Sequence, residues 1–141
     1  MCFFFYAACN PPAVAFTVRQ TSIIEARPSD VRVPFNNISV NIGNGWDPTA
    51  KAFIAPVAGV YQFSLSMGSK GAASFELHVI SGWYYFLNIQ DGSLRYSSGS
   101  VTTMVSLNSG DNVFVELNRQ GTAACSGAAF CHFSGVLVHQ T

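Results

Sequence analysis

Residues 60–67 alternate strictly. Tyr61, Phe63, Leu65 and Met67 fall on one side of an extended chain, and Val60, Gln62, Ser64 and Ser66 on the other. That two-residue period belongs to a half-buried strand and is incompatible with the 3.6-residue period of a helix. The same pattern recurs in 73–79, where Ala73, Phe75, Leu77 and Val79 alternate with Ser74, Glu76 and His78. It recurs again in 112–118, where Val113, Val115 and Leu117 alternate with Asn112, Phe114, Glu116 and Asn118. Further strands are expected over 13–20, 31–35, 37–42, 51–55, 83–90, 100–107 and 130–139. Turn signals separate them: Gly43-Asn44-Gly45, Asp47-Pro48, Pro56 to Gly59, Gly68 to Gly71, Asp91-Gly92 and Asn108 to Asp111. Nothing reads as a helix. Many short strands at this spacing predict an all-β fold, a sandwich or jelly roll.

The 141 residues suffice for one domain with a real core. Only 10% are charged, against about 25% in an average soluble domain. Much of the surface must therefore be hydroxyl, amide or glycine, or be covered by other chains. Arg19, Arg27, Arg32, Lys51, Lys70, Arg95 and Arg119 are scattered and the formal net charge is +0. That leaves no concentrated basic footprint for nucleic acid. No apolar run approaches the roughly 20 residues of a membrane span. Residues 1–12 read as an N-terminal arm, apolar from Met1 to Cys9 and ending at Asn10-Pro11-Pro12, with a remnant of a cleaved signal as the alternative. Residues 13–141 read as one globular unit.

From Phe35 the chain runs FNNISVNIGNGWDPTAKAFIAPVAGVYQFSL. Phe35, Asn41, Trp46, Phe53 and Gly59-Val60-Tyr61-Gln62-Phe63 resemble the signature of the C1q-domain family, of the C1q/TNF superfamily. Leu65 stands where that signature usually has Phe or Tyr, and still suits a core position. Leu107-Asn108-Ser109-Gly110-Asp111-Asn112-Val113 and Phe133-Ser134-Gly135-Val136-Leu137 resemble two later landmarks of the family. The resemblance extends from about Ala13 to Thr141 and implies a ten-strand jelly-roll β-sandwich that assembles as a homotrimer and is secreted. The collagen-like Gly-X-Y stem of many relatives does not occur in these residues. The chain thus resembles stand-alone invertebrate C1q-domain proteins, several of which are lectins, and a classical complement-initiating role is put in doubt.

Cys2, Cys9, Cys125 and Cys131 include no Cys-x-x-Cys pair, so a zinc site is not indicated and disulfides are favoured. Three pairings are open. Cys125–Cys131 would staple the loop before the last strand; Cys2 or Cys9 would link chains into larger oligomers. Trp83 and Tyr84, near a loop, are candidates for stacking on a sugar ring, while Tyr85 and Phe86 read as core or subunit interface. Phe114 shares a face with Asn112, Glu116 and Asn118, and an aromatic there is expected against another subunit. Asn118, Arg119 and Gln120 at a strand end suit hydroxyl or acetamido recognition, and His132 is a further candidate contact. Asn37-Ile38-Ser39 is a glycosylation sequon. No metal site is expected: carboxylates do not cluster, and calcium would rest on Asp91 alone. No catalytic motif is present, and no enzyme or cofactor is expected.

The expected function is a secreted, carbohydrate-binding, lectin-like pattern-recognition protein of innate immunity, multivalent through trimerisation, its preference for N-acetylated sugars implied by the resemblance alone. The alternative is a cytokine-like or structural protein that binds a protein receptor.

Overall fold

Alternation along the chain becomes two facing sheets. The computed structural model describes residues 12–79, 84–89, 96–125 and 131–141. Thirteen strands lie within them: β1 (Ala15–Arg19), β2 (Ile24–Glu25), β3 (Val31–Arg32), β4 (Asn37–Ile42), β5 (Trp46–Asp47), β6 (Ala52–Ile54) and β7 (Gly59–Lys70). They continue with β8 (Ala73–His78), β9 (Tyr84–Ile89), β10 (Tyr96–Leu107), β11 (Asn112–Leu117), β12 (Thr122–Ala123) and β13 (His132–Gln140). Each of the ten expected strands has a counterpart, but the one expected over 31–35 shrinks to the two-residue ladder β3, since Phe35 takes a left-handed backbone, φ 49°. The three additions, β2, β5 and β12, are two-residue ladders too short to show a period.

The first sheet pairs β4, β1, β13, β7 and β10 in that order, with β12 and β2 continuing the β13 side of β7. The second runs β5, β6, β11, β8, β9, and β3 also pairs with β11. Every pairing is antiparallel. Consecutive long strands switch sheets from β7 to β8 and from β10 to β11, as in a jelly roll. The turn expected over Gly68 to Gly71 is confined to the end of that range. β7 continues to Lys70 because β10 extends back to Tyr96 and pairs Ser98 with Gly68, and the chain turns at Gly71, φ 76°. Cross-strand pairing here overrides the low strand preference of a Ser/Gly-rich segment.

The core is aromatic. Phe16 of the first sheet stacks on Phe53 of the second with ring centroids 4.8 Å apart, and lies 5.6 Å from Trp46. It meets Phe133 edge-on at 5.0 Å and Phe63 at 6.2 Å. Leu65 is 1% exposed, so the aliphatic departure fills the core position expected of it. Tyr61 donates its hydroxyl to Val57 O at 2.7 Å. Burial pushes its phenol above the ordinary tyrosine range.

Two signature residues have a local reason. Asn41 bonds Trp46 twice, accepting from its amide at 3.0 Å and donating to its carbonyl at 3.1 Å. This clamps the β4–β5 turn, where Gly43 and Asn44 have φ of 84° and 56°, and sets the indole among the core rings. The turn signal over Pro56 to Gly59 predicts a turn glycine at Gly59. Its structural reason is instead close approach: a Cβ there would lie 2.6 Å from the His139 carbonyl oxygen on β13.

Gly135 faces the hub directly, since a Cβ would lie 2.5 Å from Phe16 and 2.8 Å from Phe63 ring atoms. Gly135→Ala is expected to destabilise the fold by about 1–3 kcal/mol through overpacking, read as a lower urea midpoint with an unchanged slope.

Candidate functional site

At one end of the sandwich β11 gives way to a turn whose backbone is fixed from three sides. Asn118 N donates to Ser74 O at 2.9 Å, Arg119 N to Asp30 Oδ1 at 2.7 Å and Gln120 N to Ala26 O at 2.6 Å. Gly121 N closes the turn on Asn118 O at 3.2 Å. Gln120 takes a left-handed backbone, φ 74°, and its carbonyl accepts from Arg27 Nη2 at 3.3 Å.

This turn borders a cleft of about 540 Å³. Asn118, Arg119, Gln120, Ser74 and Asn88 supply its polar lining; Ala72, Ala73, Ile89 and Gly121 supply the rest. Ser74 Oγ donates to Asn88 Oδ1, which ties β8 to β9 at the rim. Arg119 is the only charged residue lining the cleft among the described residues, and its side chain is exposed. Amides, a hydroxyl, a guanidinium and a small apolar surface can exchange hydrogen bonds with a neutral polyol while packing its C–H faces.

The structure thus brings together Asn118, Arg119 and Gln120, and does not bring His132 to them. His132 lies on β13, paired with Arg19 and Ser66, on the outward side of the first sheet. Tyr84 opens β9 opposite His78. It stands four residues from Asn88, or roughly 13 Å along an extended strand. Trp83 lies outside the described residues, as do Cys2, Cys9 and Asp91. Asn37 is exposed at the start of edge strand β4. Cys125 and Cys131 form a disulfide with Cα atoms 5.3 Å apart, and both are buried.

The outward side of the first sheet carries an aliphatic row. Register places Ile42, Ala15, Val136, Gln62 and Met104 side by side across β4, β1, β13, β7 and β10. Ile42, Val136 and Met104 are 52%, 44% and 55% exposed. The next row, Val40, Thr17, Ser134, Ser64 and Thr102, is uncharged as well.

On the outward side of the second sheet, Phe114 finds neighbours within its own chain. His78 on β8 stacks on it at 4.6 Å and 9°, and the Arg32 guanidinium carbon on β3 sits 3.6 Å from its ring centroid. An aromatic on that face therefore needs no second subunit to cover it. Beside it, Glu76, His78 and Glu116 bring one ligand atom each within 4.8 Å of one another. No metal-ligating set is expected from the sequence, where carboxylates do not cluster. Glu76-x-His78 on one strand face was legible, but Glu116 joins only through the β8–β11 register, which no local pattern reveals.

A model of the C1q domain matches residues 15–138. Among solved structures, the globular domain of zebrafish complement 1qA protein superposes with a TM-score of 0.71 at 20% identity, covering 93% of this chain and all of that one. Murine APRIL, in a crystal structure at pH 5.0, superposes with a TM-score of 0.67 at 14% identity, covering 89% of this chain and 99% of that one. At these identities the two likenesses speak to the fold.

Asp30→Ala removes the acceptor that holds the Arg119 amide. Hydrogen exchange should show lost protection at Arg119, while the thermal midpoint falls by only a few degrees, since an exposed bond of this kind contributes about 1 kcal/mol.

Proposed function

The chain belongs to the C1q domain family, and from that premise we propose that it is a secreted, lectin-like recognition protein that binds carbohydrate as a homotrimer. The observation that carries the reading is the cleft at the end of the sandwich, where Asn118, Arg119 and Gln120 meet Ser74 and Asn88. Amide, hydroxyl and guanidinium groups around a small apolar surface suit hydroxyl and acetamido groups better than they suit a reacting centre. N-acetylated sugars are the proposed class. A cleft this open predicts weak affinity at one site. Three copies held together would raise avidity through effective concentration alone.

The aliphatic row on the first sheet supports self-association. Ile42, Val136 and Met104 lie across five strands with hydroxyl residues beside them, and no carboxylate interrupts either row. Three copies of these two rows brought together around a threefold axis meet without desolvating unpaired charge. His132 lies on the same outward side of the first sheet, away from Asn118, Arg119 and Gln120, which leaves the ligand to the cleft. The Cys125–Cys131 bridge agrees with an oxidising, extracellular compartment.

The purified protein is expected to run at three chain masses by light scattering and to agglutinate cells, with agglutination reversed by a simple N-acetylated sugar. Arg119→Ala should weaken glycan-array binding tenfold or more with the mass unchanged. An array with no hits at high density would overturn the lectin reading, and receptor binding that no sugar inhibits would favour the cytokine-like alternative.

A further inference from the structure

We propose that Glu76, His78 and Glu116 form a binding site for a divalent transition cation of the zinc type on the outward side of the second sheet. Sheet register places these groups together. Glu76 and His78 lie two residues apart on β8 and so share a face, and Glu116 on β11 pairs directly with Glu76. His78 Nε2 lies 3.9 Å from Glu76 Oε1 and 3.9 Å from Glu116 Oε1. Donors in a tetrahedral zinc shell sit about 3.3–3.6 Å apart, given bonds of about 2.0–2.2 Å. Small rotations of the two glutamates cover the difference.

The carboxylate pair is itself informative. Like charges directly opposite one another on neighbouring strands destabilise a sheet. Here the two side chains are only 13% and 26% exposed, so water screens them poorly. A divalent cation between them turns that repulsion into attraction. Arg32 does not do so: opposite Glu116 in register, it forms no ion pair among the described residues and commits its guanidinium to Ala50 O at 3.0 Å and to the Phe114 ring. The Phe114 stack in turn holds the His78 ring plane, which lowers the ordering cost of binding.

Donor chemistry selects the ion. Calcium takes six to eight oxygen ligands and magnesium keeps an octahedral oxygen shell. One imidazole nitrogen with two carboxylates matches zinc and its neighbours. Three protein ligands leave a fourth position for water.

The test uses the whole protein without a histidine tag, stripped with chelator and titrated with zinc, calcium or magnesium chloride by calorimetry and thermal shift. Zinc should bind at one site per chain and raise the midpoint, with no comparable rise from calcium or magnesium. Glu76→Gln and Glu116→Gln should each weaken zinc binding tenfold or more. Each should also raise the midpoint in chelator, because the like-charge pair is gone, and this shows that the variant folds. Absence of a zinc response, or zinc binding of unchanged strength in both variants, overturns the site. A calcium response in place of zinc overturns the assigned class of ion.

Discussion

The contact between Phe16 and Phe53 joins the two sheets, and much of the structure is arranged around it. Phe16 reaches across from β1, stacks on Phe53 at 4.8 Å and touches Trp46, Phe63 and Phe133. Each such ring contributes roughly 1.5–3 kcal/mol by leaving water. That gain requires that the neighbouring backbone make room. Gly135 leaves the space that the Phe16 and Phe63 rings occupy, and Gly45 leaves a similar one beside Phe53. Asn41 fixes the turn that delivers Trp46. Phe35 accepts a left-handed backbone, φ 49°, and is buried against Trp46 and Phe133. The signature residues are thus one packing solution seen at several points along the chain.

With the inner faces committed to that core, the outer faces are free to differ. The first sheet turns outward two uncharged rows in which Ile, Val and Met stand among Ser, Thr and Gln62, with Arg19 and His132 in the row beyond. The second turns outward Glu76, His78, Glu116 and Arg32, a surface that interacts through charge and ligation. The ends of the sandwich belong to turns held by backbone hydrogen bonds, and the amide-lined cleft sits at one of them. This separation follows from the two-residue period. Each strand sends alternate side chains to opposite sides, so one sequence writes a core and a surface at once.

The strands and the core were legible because both depend on that period. Tyr61, Phe63, Leu65 and Met67 announce an inward face, and all four are buried. The turn 118–120 was legible as a polar strand end. What could not be read was anything set by which strands become neighbours. His132 and Arg119 both read as polar candidates near strand ends, and only the sheet order separates them, placing His132 beside Arg19 on another surface. Phe114 reads from periodicity as an aromatic on a polar face, and its neighbours within the chain, His78 and Arg32, are 36 and 82 residues away, where no local pattern shows them. Glu116 meets Glu76 for the same reason. Residues such as Ile24 and Ala123 pair in ladders too short to carry a pattern.

Equilibrium unfolding of Phe16→Ala tests most directly whether this ring holds the sheets together. A loss of about 3–5 kcal/mol, with one cooperative transition retained, is expected for a hub ring removed from a close-packed interior. A loss below about 1 kcal/mol would mean that the sheets are joined by something other than the Phe16 contacts, and would contradict the account.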